Sequence, residues 1–134
     1  RDPLLQGPRL FAQHCASCHA HVDPVAPEAK ALLAKASAPN LHGFGTAAWV
    51  KGLLDPDRVA GPAYFGNTTH KDGDMVSFVT EDLQDEAAWK PDDIAAVVTA
   101  LAAESGLGDR EAPAATIARG RELIASDERC GACH

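Results

Sequence analysis

Aromatic side chains are scarce in this 134-residue chain, which has four Phe, two Trp and one Tyr, or 5% of the total. Large rings normally supply much of a core's buried surface. Their shortage leaves room for a large flat apolar group from outside the chain. Long apolar runs are also missing: nothing approaches the roughly 20 consecutive residues that cross a bilayer, so the sequence holds no membrane span. Basic residues are outnumbered, 12 Lys and Arg against 19 Asp and Glu, for a formal charge of −7. That balance excludes nucleic acid as a partner, because phosphate binding depends on Lys and Arg. A basic or mixed-charge protein partner fits better; the charge would steer encounters and be screened by salt. The same charge also serves an acidic surface that only keeps a protein in solution. There is no initiator Met, and any targeting or anchoring segment is expected to have been removed or to lie outside this sequence. What is present, 46% hydrophobic and 23% charged residues, is the composition of a globular protein. The length suits one ordinary domain and a fragment of a second.

No cysteine is left over. All four lie in two runs of one form, Cys15-Ala16-Ser17-Cys18-His19 and Cys130-Gly131-Ala132-Cys133-His134. A four-cysteine zinc site also uses two such pairs, but 111 residues lie between Cys18 and Cys130, against about 15 to 20 in zinc ribbons. A thioredoxin-like pair needs a βαβ context, and the Ala-rich surroundings of Cys15 have no strand pattern. Disulfides would leave the His after each pair unexplained. Covalent haem explains all three residues: two sulfurs add to the two vinyl groups, and the adjacent imidazole lies where it binds iron.

Leu4, Gly7, Leu10 and Phe11 approach helical spacing before the first motif, and Pro8 predicts that the helix begins there. Glu28 to Ser37 reads as a second short helix, and Thr46 caps a third through Trp49 to Leu54, ended by Asp55 and Pro56. Residues 55 to 75 are loop chemistry. Pro91 opens a helix whose apolar face is Ile94, Val97, Val98 and Leu101 and which Gly106 stops. Residues 106 to 113 read as a linker, and a further helix spans roughly Pro113 to Ser126. That last helix repeats the first: Gly7, Leu10 and Phe11 correspond to Gly120, Leu123 and Ile124. A small and a large apolar residue four apart let a helix lie closely against another. The expected organisation is a haem unit over 1–105, a linker over 106–113, and over 114–134 the start of a second, incomplete unit. In the alternative, the final helix belongs to the first unit and carries a peripheral haem.

Residues 4 to 105 resemble a class I cytochrome c, through the CxxCH and the run Pro39-Asn40-Leu41-His42-Gly43-Phe44-Gly45. The resemblance implies an all-α fold of short helices and long loops around covalent haem, with the Pro39 carbonyl orienting His19. Without it, Pro-Asn followed by Gly is only a turn. The second axial ligand is then expected in the long loop. Met75, the chain's single Met, fits in Gly73-Asp74-Met75, and thioether with imidazole favours reduced iron. His70 is the rival and would give bis-His coordination. Trp49, Tyr64-Phe65-Gly66-Asn67-Thr68, His70 and Gly73 to Met75 are similar, more narrowly, to the tandem cytochrome c subunits of bacterial quinol-oxidising bc-type complexes. That likeness implies electrons received from a Rieske/cytochrome b complex and passed to a soluble cytochrome or an oxidase. It also makes Trp49, Tyr64 or Arg58 candidate partners of a haem propionate, although each serves equally as packing or surface.

The second motif departs from the pattern, since His134 is the last residue. A continuing polypeptide, another chain, or one of His14, His21, His42 and His70 would have to supply the other ligand, and continuation is the preferred reading. The sequence thus predicts two haem c sites, Cys15, Cys18, His19 and Met75 at the first, Cys130, Cys133 and His134 at the second. With both axial positions of the first iron filled, the expected function is electron transfer and not catalysis. The rival is a peroxidase-like or gas-sensing protein with an open axial site at the second haem. Haem attachment in this family implies a periplasmic location or the outer face of the bacterial cytoplasmic membrane.

Overall fold

The computed structural model describes residues 2–134. Among them it has six α-helices: α1 Pro3–His14, α2 Ala29–Leu33, α3 Ala47–Leu53, α4 Asp74–Thr80, α5 Pro91–Glu104 and α6 Ala114–Ala125. Two 3-10 turns, Asp82–Gln84 and Cys130–Ala132, complete the regular structure, and the described residues hold no strand, only an isolated parallel bridge between His19 and Ala38. None of the helices is long and apolar enough to cross a membrane. The all-α expectation therefore holds.

Several boundaries differ from the sequence-based ones. Helix α1 begins at Pro3 and runs through Pro8. Asp2 accepts a 2.9 Å hydrogen bond from the Leu4 N–H, and Pro3 stands in the first turn, where its missing N–H costs nothing. This start signal outweighs the one bond that Pro8 cannot donate. Helix α2 is shorter than expected, and α4 starts on the last two residues of the 55–75 loop, where no helix is expected. Helices α3 and α5 lie where Thr46 and Pro91 place them; Thr46 Oγ1 accepts from the Trp49 N–H at 3.2 Å, and Gly106 leaves α5 with φ 73°.

The chain divides into two compact units. The first joins residues up to His42 with Pro56–Ser77. Its core gathers Val22, Ala29 and Leu33 with half-buried Ala20, Ala26 and Ala63, and Val59 and Tyr64 are buried in the same unit. The 56–73 segment is wound into successive turns, as in Phe65 N to Val59 O at 3.1 Å and Gly66 N to Gly61 O at 2.9 Å. Asn67 Nδ2 fastens it to the Leu33 carbonyl at 2.7 Å.

The second unit joins Gly43–Asp55 with Phe78–His134. Helix α5 packs against α3 and, more extensively, against α6. Its buried residues are Ala96, Val97, Val98, Ala100 and Ala102, a small-residue surface that permits close approach. Gly120 of α6 uses it: a Cβ there would overlap the Ala96 carbonyl oxygen and stand 2.6 Å from Ala100 Cβ. Leu123, three residues on, is also buried, and two ion pairs flank the contact, Arg119 with the half-buried Asp93 at 3.0 Å and Arg121 with the exposed Glu104 at 2.5 Å. Residues 106–113 lie inside the second unit, where α6 is seated on α5. Most large buried residues are aliphatic; Tyr64 and Trp89 are the buried rings.

Candidate haem-binding sites

Helix α1 delivers Cys15 at its C-terminal end, where the Cys15 N–H donates to Phe11 O at 2.8 Å. The chain then turns back on itself: Cys18 N and His19 N both donate to Cys15 O, at 3.1 and 2.9 Å. The turn holds two thiols and an imidazole within five residues. Both are free thiols, Cys15 half-buried and Cys18 exposed.

His19 Nδ1 lies 2.7 Å from the Pro39 carbonyl oxygen. A carbonyl only accepts, so Nδ1 carries the proton and Nε2 keeps its lone pair for a metal. The contact follows from how residues 18–22 and 37–42 run together. Ser37 and Ala38 N–H groups both donate to Cys18 O at 3.0 Å, and Leu41 N donates to Ala20 O at 2.9 Å. Asn40, only 2% exposed, completes the join: its amide donates to Val22 O at 2.8 Å and its carbonyl accepts from Val22 N at 3.2 Å. A buried amide so satisfied locks the register of both segments, and that register puts Pro39 beside His19.

Met75 stands in the first turn of α4, half-buried, in the same unit as His19. Val76 N and Ser77 N donate to Gly73 O at 2.9 and 3.1 Å, so the helix start fixes the Met75 backbone. His70, its rival, is exposed. Tyr64 is 4% exposed with the Arg58 guanidinium 5.7 Å from its ring centre. Trp49 belongs to the second unit, half-buried, and meets Phe44 edge-on at 4.7 Å.

The second motif makes the same turn. Cys133 N and His134 N donate to Cys130 O at 3.3 and 3.1 Å. Its surroundings differ. Cys130 is half-buried, and that burial pushes its thiol above the ordinary range, opposed by its backbone hydrogen bond and by the charge of Arg129. Cys133 and His134 are exposed, and among the described residues the His134 ring has no hydrogen-bond partner. Arg129 anchors the turn, its guanidinium 4.7 Å from the centre of the buried Trp89 ring, a cation–π contact. Phe78 meets Trp89 edge-on at 5.8 Å.

Two free thiols, an imidazole with the tautomer set for metal binding and a thioether in one compact unit are a donor set that fits covalent haem. No group of three or more His, Cys, Asp or Glu gathers among the described residues as a metal site of another kind. Sequence reasoning missed Asn40, Arg129 and Trp89. Asn40 reads locally as a turn residue, and the Arg129–Trp89 contact joins positions too far apart for any local pattern to reveal.

Neither the curated proteins nor the solved structures contain a match to this chain. A family model does match, over residues 2–90, described as cytochrome c oxidase, cbb3-type, subunit III. The matched span includes the first motif, the Pro39 segment and Met75, and ends just before α5. The fold is that of a class I cytochrome c, its cofactor is haem c, and its work is haem-based electron transfer with redox protein partners. Through these residues the chain belongs to the family of cbb3-type cytochrome c oxidase subunit III.

Proposed function

We propose that this chain is a tandem c-type cytochrome relaying single electrons within a respiratory complex. The first haem c would be held by thioethers from Cys15 and Cys18, with His19 and Met75 as axial ligands. Cys130, Cys133 and His134 would attach a second. The observation that carries the reading is the 2.7 Å hydrogen bond from His19 to Pro39 O, because orienting the far nitrogen is what a metal-bound imidazole requires.

Bound haem supplies an iron that gains and loses one electron. The chain's own residues do the rest. Pro39, held in place by Asn40, fixes the direction of His19 Nε2 and raises its basicity. The Met75 sulfur, a soft donor, would favour the reduced iron. With His19 and Met75 both bound, the iron would have no open position for a substrate, and the protein's task would be to set a potential and present an edge to a partner. Half-burial favours Met75 over the exposed His70, since a buried ligand shields iron from water.

Residues 1–105 would then form the complete cytochrome unit and 114–134 the opening of the second, after the 106–113 linker. Tyr64 and Trp49 remain candidates for holding propionates. The family match supports an oxidase complex as the setting, and the narrower likeness in the sequence supports a quinol-oxidising bc-type complex. Both require the outer face of the bacterial cytoplasmic membrane or the periplasm. The close seating of α6 on α5 favours one second reading, in which the final helix belongs to the first cytochrome and carries a peripheral haem.

Met75→Ala tests the ligand assignment. The variant is expected to have a lower potential and to bind added imidazole at iron. An unchanged visible spectrum would remove Met75 as ligand, and a spectrum changed only by His70→Ala would install His70 instead.

A further inference from the structure

The register that aims His19 also brings together two other histidines. His21 and His42 sit on the adjacent segments 18–22 and 37–42, both exposed. Their ring centres are 5.6 Å apart, with the planes at 69°. The backbones beneath them are fixed by the same buried amide, for Asn40 Oδ1 accepts from Val22 N at 3.2 Å and from His42 N at 3.3 Å. Leu41 N closes the ladder on Ala20 O at 2.9 Å. Phe11 meets the His21 ring edge-on at 5.7 Å and limits its swing.

We infer that His21 and His42 form a binding site for one divalent transition-metal ion of the copper–nickel–zinc class, separate from the haem sites. Imidazole is the natural protein ligand of these ions. An ion shared by the two rings stands about 2 Å from one nitrogen of each, and ring centres 5.6 Å apart accommodate it. Phe11 restrains the His21 ring, and the exposed His42 ring, free to turn on a picosecond-to-nanosecond timescale, is the one that would swing a nitrogen towards a shared ion. Preorganised backbones reduce the ordering cost of binding. Water completes the coordination, because no third His, Cys, Asp or Glu joins a cluster among the described residues. Two protein ligands give reversible binding and not a structural site, and Cu(II) heads the affinity order.

The test is titration of the oxidised holoprotein with Cu(II) in a non-coordinating buffer, followed by calorimetry and by electron paramagnetic resonance of the copper. One equivalent is expected, with hyperfine structure from two nitrogens. His21→Gln and His42→Gln should each weaken binding by about tenfold or more, while His14→Gln and His70→Gln leave it unchanged. Because His21 is two residues from His19, the haem spectrum of each variant is recorded; if His21→Gln perturbs it, His42→Gln alone decides. Undiminished affinity in His42→Gln, or equal losses in the His14 and His70 variants, would overturn the assignment and leave scattered surface histidines.

Discussion

Helices α1 and α6 carry one pattern twice and meet different surroundings. Each leads into a CxxCH turn closed by hydrogen bonds onto the first cysteine's carbonyl. Yet α1 buries none of its residues, and a Cβ at Gly7 would meet nothing within 4 Å. At the equivalent Gly120 a Cβ would run into the backbone of α5. The histidines reverse the order: His19 is oriented by Pro39, whereas the exposed His134 has no hydrogen-bond partner among the described residues. A local motif therefore dictates helix and turn, while packing and ligand orientation come from residues far along the chain. The first motif has gained a partner for its imidazole and the second a partner for its helix.

Substitutions can break this comparison at either end. The largest effect is expected from the cysteines: Cys15→Ala with Cys18→Ala should abolish covalent attachment at the first site and leave the second, and Cys130→Ala with Cys133→Ala should do the converse. Haem staining of the denatured chain reads both. Next is Gly120→Ala. Forcing a methyl against the α5 backbone costs about 3 kcal/mol, the upper end for overpacking, and the better helix propensity of Ala returns about 1 kcal/mol. A net loss of about 2 kcal/mol is expected in denaturant unfolding, and an unchanged midpoint would mean that α6 does not rest on α5. Gly7→Ala, the smallest effect, should shift stability by no more than about 0.5 kcal/mol, because the propensity gained in an exposed helix is offset by the crowding of the new Cβ against the ring of Pro8, the next residue. A large loss there would show that α1 is also closely covered.

The sequence makes the helices with strong end signals legible. Thr46 and Pro91 mark α3 and α5, and Gly106 marks where α5 stops. It misleads at Pro8, because a proline reads as a helix start unless the better start signal at Asp2-Pro3 is weighed against it. It hides α4, whose Val76, Val79 and Thr80 are β-branched and whose seven residues are too few for a period to emerge. At the proposed site, the cysteines and His19 are legible because they form one short local pattern with the spacing that haem attachment would require. Pro39 is legible only through family likeness, since nothing local links it to a residue 20 positions earlier. Asn40 is not legible as a linchpin at all; its role exists only once two distant segments lie side by side and its amide is buried between them. The seating of Gly120 was partly foreseeable, as a glycine four residues before Ile124 invites close packing, but the identity of the receiving helix is not in the pattern.

The most direct test of the account is the intact mass of the denatured holoprotein, because thioether-bound haem survives unfolding and adds a fixed increment for each group attached. Two increments are predicted, one lost with each pair of cysteine substitutions. A chain with the mass of the bare polypeptide, after expression with the haem-attachment machinery, would contradict the reading of both motifs.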